Sequence, residues 1–336
     1  MDNLRKSNTH LQLLAYIFLA MAVTYFVGFR GEDIGSDTPF YLKYFDFVKY
    51  GDSLEGVERV EIGFYWLTKI ISYFTDSKCV YLSIIFLIQF IGITSALFKK
   101  NEIFRPYLFL TFIWLSYPFF YSITLNTLRQ GLAFVFVIYA IDAKLQNKKY
   151  SPYILLLLGS SLHYSILSFI ICFIILELKP KFITLLWFWF FVVGLVFFGW
   201  MELITNQLLE LIVLNKPYYS SYLDSSINED YVTGFRLDFT IFSALPIAYY
   251  FLNNTFNRKN RYRTEPIFII YLIMNIFYFC FAHLPYSDRF GLASWILIPL
   301  MIDIDFLQNN RILRPFKLVI VCSSIIFLYY YFFLPK

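Results

Sequence analysis

Residues 63–74 read GFYWLTKIISYF, and whether this stretch crosses a membrane or lies along its surface decides the topology of everything after it. It is shorter than the ~20 apolar residues a spanning helix needs, and Lys69 sits inside it. Basic clusters lie at Arg5/Lys6, Lys99/Lys100/Arg105, Lys144/Lys148/Lys149, Lys179/Lys181, Arg258/Lys259/Arg261/Arg263 and Arg311/Arg314/Lys317. Such clusters mark the cytoplasmic side of a membrane protein. All six fall on that side if the N-terminus is cytoplasmic and 63–74 is not a span. The stretch therefore reads as an amphipathic helix at the outer interface; a short or tilted span is the competing reading.

The rest of the chain supports a membrane setting. Of 336 residues, 59% are hydrophobic, 22% aromatic and 15% charged, where a soluble domain carries about a quarter charged. Apolar runs at 11–29, 80–98, 103–122, 130–143, 149–162, 164–178, 182–202, 237–252, 266–283, 290–306 and 316–333 predict an all-α polytopic membrane protein with about 11 transmembrane helices. Residues 1–336 read as a single integral membrane domain, with an outer loop at 30–79 bearing interfacial helices and a second outer loop at 203–236. The second loop is rich in acids and tyrosines, among them Tyr218, Tyr219 and Tyr222. Runs 130–143 and 149–162 are short, as suits helices placed where protein or water thins the hydrocarbon. The run 11–29 is long for a signal peptide and lacks a small-residue cleavage site, so it reads as a retained anchor.

Several function classes are excluded. The net charge of +5 is dispersed among inter-span clusters, so it is no nucleic-acid footprint. Cys79, Cys172, Cys280 and Cys322 are scattered, with no metal-ligand spacing. No P-loop, GxGxxG, GxSxG or HExxH occurs, so neither a cofactor nor a metal is expected.

Ionisable residues at the ends of spans are informative because placing them there is costly. On this topology they collect on the outer side, and the inner side is merely basic. In LNTLRQGLAF (125–134), Asn126, Arg129 and Gln130 share one helical face. An arginine fork suits phosphate oxygens; the plain alternative is an arginine snorkelling to the interface. In SSLHYSILS (160–168), His163 interrupts an apolar run beside Tyr164 and Ser165. It reads as a base, a phosphate donor or a satisfied structural histidine. In HLPYSDRFGLASW (283–295), Asp288 and Arg289 neutralise each other or leave Arg289 as a second cation for phosphate. In FRGEDIGSDTPFYLKYF (29–45), Thr38 before Pro39 reads as an N-cap followed by proline at the first helical position. Phe40, Tyr41, Tyr44, Phe45 and Val48 then share a face opposite Lys43, Asp46 and Lys49. That helix is expected to lie flat on the outer leaflet, apolar face down. Asp37 either serves the helix dipole or does chemistry.

Taken in order, these elements resemble the EpsG family, relatives of the Wzy-type polysaccharide polymerases. An Arg-Gly…Gly-x-Asp…Tyr signature is matched by Arg30, Gly31, Gly35, Asp37 and Tyr41. Glu followed by Gly-aromatic is matched by Glu61, Gly63 and Phe64, and Asn-x-x-Arg-Gln-x-x-Ala by Asn126, Arg129, Gln130 and Ala133. His163, Tyr164 and Ser165 match a His-Tyr-Ser element; Arg236 and Arg289, the latter before Phe290, are the least sharp matches.

The resemblance implies a glycosyltransferase that joins oligosaccharide repeat units carried on undecaprenyl diphosphate. It would act on the outer face of the bacterial cytoplasmic (inner) membrane, in O-antigen, capsule or exopolysaccharide synthesis, without a metal. Asp37, Glu61 and His163 are the candidate bases and Arg129 the principal cation. Arg30, Tyr41, Asn126, Gln130, Tyr164, Arg236 and Arg289 are candidates for binding substrate. A flippase and a chain-length regulator would be its membrane partners. The layout of one span, an acidic outer loop and interfacial helices also resembles GT-C glycosyltransferases. Another lipid-linked-sugar transferase or a ligase would share this chemistry. A flippase or transporter for the same lipid predicts midplane charges and repeat symmetry, and neither is visible.

Overall fold

The computed structural model describes residues 2–51, 60–100, 107–213, 233–256, 261–302 and 326. Among the described residues every regular element is helical. The chain divides into two compact units, Met1–Leu167 with Asp303–Lys336, and Ser168–Ile302.

In the first unit, α1 (Asp2–Gly28) packs on α4 (Lys78–Lys100), and α4 packs on α7 (Leu128–Leu145). A short connection returns α7 to α8 (Ser151–Leu162), which lies along it. Two antiparallel helices joined so tightly bring the start of the first beside the end of the second. Arg129 and His163 therefore share one end of the hairpin.

The about 11 spans expected from apolar runs are not reached by helix length. Among the described residues two helices, His10–Gly28 and Lys78–Leu97, are long and apolar enough to cross a membrane; counting each bent pair as one span gives four. The reason is local. The run 103–122 stops at Leu115, the end of α5 (Tyr107–Leu115), and a new helix α6 (Pro118–Tyr121) starts on proline, whose ring cannot continue a preceding helix. The run 182–202 breaks at Gly199 (φ 74°) between α10 (Phe182–Phe197) and α11 (Trp200–Val213), which meet at 95°. The outer loop placed at 203–236 thus begins as helix, and its tyrosines 218, 219 and 222 lie outside the described residues. So does the expected span 316–333, apart from Ile326. Shorter apolar helices cover Ser151–Leu162, Tyr164–Glu177, Leu237–Leu252 and Glu265–Cys280.

The segment 63–74 lies within α3 (Ile62–Phe74), which runs parallel to α2 (Thr38–Tyr50). Phe64 near the start of α3 stacks on Tyr44, with ring centroids 5.6 Å apart. At the other end each helix caps its neighbour. Lys49 Nζ donates to the carbonyls of Ser72 (3.1 Å) and Thr75 (2.6 Å), and Lys69 Nζ donates to Val48 O at 3.1 Å. Cations belong at helix C-termini, where carbonyls lack intrahelical partners. Lys69, an obstacle to spanning in the sequence, is thereby explained as a cap. α3 exposes Ile62, Trp66, Ile70, Tyr73 and Phe74, an aromatic-rich apolar face. The apolar face of α2, expected against lipid, is instead covered by protein. Tyr44 and Phe45 are fully buried, and Phe45 packs on Tyr81 of α4 at 4.7 Å.

In the second unit, α13 (Arg261–Cys280) is packed by α9 (Ser168–Glu177), α10, α12 (Leu237–Phe256) and α14 (Asp288–Trp295), and touches α15 (Ile298–Met301). Buried Asn275 ties them together. It accepts from Trp189 Nε1 (2.6 Å) and donates to Ser243 Oγ (3.0 Å) and Ser294 Oγ (2.9 Å). A polar network inside an apolar bundle fixes helix register when its members are paired.

Candidate functional site

The site in the first unit is built around a broken helix. After α6 the chain makes a π-turn, Ser122–Asn126, and bends 119° at Thr127 before α7 begins. The break places Arg129 and Gln130 in the first turn of a new helix. Single π-turns of this kind are frequent at functional sites.

The first loop is stitched to this bend. Asn126 Oδ1 accepts the Ser36 N–H at 3.0 Å. Gly35 has φ 91°, and a Cβ there would lie 2.9 Å from Asn126 Oδ1, so both backbone angle and space require glycine. Arg30 is buried and spends its donors on the scaffold. Nε donates to Thr38 Oγ1 (3.0 Å), one terminal nitrogen to Val27 O (2.7 Å), and the other more weakly to Leu125 O (3.4 Å). Burial pushes its guanidinium down to about 10, which leaves it charged at neutral pH. Arg30 therefore joins the end of α1, the start of α2 and the π-turn.

Arg129 is the centre. Its guanidinium forms an ion pair with Glu61, acts electrostatically on the Tyr41 phenol, and lies 6.0 Å from the Phe40 ring centroid. Glu61 is 5% exposed. Its second oxygen accepts the Tyr164 N–H at 3.3 Å, so one carboxylate links α3, α7 and the end of α8. Gly63 permits this closeness, since a Cβ there would sit 2.7 Å from Ser161 O. The Tyr41 phenol is raised by burial, against the pull of Arg129; at neutral pH it is a hydrogen-bonding group and not a base.

Asp37 and Glu61 occupy the N-cap positions of α2 and α3, and neither side chain makes a cap hydrogen bond. The cap expected at Thr38 is displaced by one residue. Thr38 begins the helix and turns its hydroxyl back onto Ile34 O at 2.7 Å. The starts of α2, α3 and α7 meet at Arg129, and each helix start carries partial positive charge. Together with the guanidinium they make a place that favours anions.

His163 closes the end of α8. The Ser165 N–H donates to His163 Nδ1 at 3.3 Å, with Ser165 Oγ 2.8 Å away. A backbone N–H can only donate, so Nδ1 accepts and the neutral ring carries its hydrogen on Nε2. In that form His163 offers a donor, and its basic nitrogen is already engaged. The Tyr164 side chain is exposed, and Gln130 is fully buried.

Tyr44 was not singled out in the sequence as more than part of an apolar face. Its hydroxyl is buried without a hydrogen-bond partner among the described residues, as is Arg129 Nε. Burial raises the Tyr44 phenol, with the Arg129 charge opposing. Its place three residues after Tyr41 was the available signal. Buried donors left open in this way suit an acceptor-rich group.

Arg236 and Arg289 belong to the second unit. Arg236 forks onto Asp238 (3.2 and 2.5 Å) and lies 3.6 Å over the Phe239 ring; Arg289 lies 4.8 Å from the Tyr286 ring centroid. Among the described residues no three His, Cys, Asp or Glu side chains gather at one point.

Comparison with curated proteins and with solved structures finds no match. The sequence pattern of one family does match, across residues 13–335. By that match over nearly its whole length, the chain belongs to the EpsG family, a family associated with polysaccharide polymerases.

Proposed function

We propose that this membrane protein is a polysaccharide polymerase of the bacterial cytoplasmic membrane, and that it joins oligosaccharide units carried on undecaprenyl diphosphate. The observation that carries this reading is the convergence of three helix starts on Arg129, with carboxylates at two of the N-caps. Glycosyl transfer from a lipid diphosphate needs two things at one point. Charge developing on the leaving diphosphate must be stabilised, and the attacking sugar hydroxyl must lose a proton. Arg129, Tyr44 and His163 Nε2–H supply donors for the first. Asp37 and Glu61 are the candidate bases, since the acceptor nitrogen of His163 is taken by Ser165. Preorganised donors of this kind each contribute about 10²–10³ in rate.

The test is a reaction with purified protein and lipid-linked repeat units alone. A ladder of products of increasing length is the expected result. A single addition would make the protein a side-branch transferase or ligase, and no product with a translocated lipid would make it a flippase.

The active face is proposed to be the outer one, from the basic clusters and the exposed aromatic face of α3. Asp76, 84% exposed just after α3, gives the check. A cysteine placed there, with the native cysteines replaced, is expected to react with an impermeant thiol reagent applied from outside. Reaction only from the cytoplasmic side would invert the topology.

A further inference from the structure

Arg129 is already occupied. Its ion pair with Glu61 fills part of the guanidinium, and Glu61 is buried, held from behind by the Tyr164 N–H. Glu61 sits at a helix start yet makes no cap bond with its side chain; its carboxylate is committed to Arg129. At the same time Arg129 Nε has no partner among the described residues, so the guanidinium retains capacity for a larger acceptor. A diphosphate carries more charge than a carboxylate and offers several oxygens to the fork. A like charge beside it is disfavoured.

We infer that Glu61 is the resident counter-anion of Arg129, exchanged on substrate binding: the donor's diphosphate takes the guanidinium, and the released carboxylate becomes the base for the acceptor hydroxyl. This rests on the reading of the site as a diphosphate site. In the step, the acceptor oxygen forms a bond to the anomeric carbon, and the bond from that carbon to the diphosphate oxygen breaks. The electron pair leaves on the diphosphate, held by Arg129, and the acceptor proton passes to a Glu61 oxygen and later to water. Until the donor is bound, Glu61 is tied up, so an acceptor alone does not meet its carboxylate. The Tyr164 N–H serves as the pivot that keeps Glu61 in place when it leaves Arg129.

The exchange predicts opposite signs for binding and turnover in one variant. Glu61→Gln removes the competing charge and the base together. It is expected to bind inorganic pyrophosphate and undecaprenyl diphosphate in detergent about tenfold or more tightly. It is expected to lose turnover by about 10²-fold or more. Glu61→Asp keeps the charge but withdraws it by one methylene; it should tighten binding less and retain measurable turnover, and it carries the test if Glu61→Gln does not fold. Arg129→Ala is the reference. If it binds pyrophosphate as well as wild type, the diphosphate reading fails and the exchange with it. If binding depends on Arg129 but Glu61→Gln and Glu61→Asp bind no more tightly than wild type, the exchange alone is overturned, and Glu61 merely holds Arg129 in position.

Discussion

Arg129→Ala is expected to abolish long-chain polymer in cells and to lower turnover of the purified protein by about 10²-fold or more. Truncation removes the guanidinium on which three helix starts converge. It also leaves Glu61 buried without its partner, and breaking a buried pair from one side costs about 3–5 kcal/mol. Loss of polymer could therefore reflect loss of protein, and two further variants separate the causes. Arg129→Lys keeps the charge beside Glu61 but not the planar fork; protein level should hold while activity falls. Arg129→Ala combined with Glu61→Gln removes both charges, so stability should recover relative to the single change while activity does not. The readouts are polymer length on a gel, membrane protein amount and thermal unfolding in detergent. Full-length chains from the Arg129→Ala strain would remove Arg129 from the chemistry.

Residue type and order carried much of this site into the sequence, and spatial direction did not. Arg129, Glu61 and the His163–Ser165 element were all visible as polar residues at the ends of apolar runs, because the membrane makes such placements costly. Their convergence on one carboxylate was not, since contacts across 68 and 103 positions leave no periodic trace. Arg30 shows the limit most plainly. Sequence places a cation at the lip of the site, but only coordinates reveal that its fork turns inward onto Val27, Thr38 and Leu125. The period of α2 was legible and its covering surface was not; an apolar face looks the same whether lipid or Phe64 and Tyr81 lie against it. In the sequence Lys69 argues against a span, yet its partner Val48 O lies on another helix. The span count failed for a related reason. Hydropathy sums over Pro118 and Gly199 as if the helix ran through them, whereas each is a point where the backbone turns. Asn275 was hidden because one polar residue in a run of apolar ones signals burial or function equally.

Arg30 and Asp37 sit seven residues apart in one loop, and opposite outcomes are expected from changing them. Arg30→Ala should act on the fold. It strips a charged donor from Val27 O at the end of α1, a carbonyl with few other partners, and releases Thr38 and the π-turn together. A hydrogen bond from a charged group contributes about 1.5–3 kcal/mol, so losing two good ones and a weak third should destabilise by about 3 kcal/mol or more. Because the loss unties the first loop from the bend that presents Arg129, activity should fall in step with the amount of folded protein. Stabilising conditions, such as lower temperature or added lipid, should restore both. Asp37→Asn is the milder change, because it keeps the size of the side chain. Its carboxylate accepts from Ser36 Oγ at 3.1 Å and caps nothing, and asparagine is an equally good N-cap residue. Unfolding temperature is expected to move little. If Asp37 acts on the substrate, polymer should nonetheless disappear, and lower temperature should not bring it back. Retained polymer in Asp37→Asn would confine that residue to starting α2. An Arg30→Ala protein that unfolds at the wild-type temperature but makes no polymer would return Arg30 from the scaffold to the chemistry.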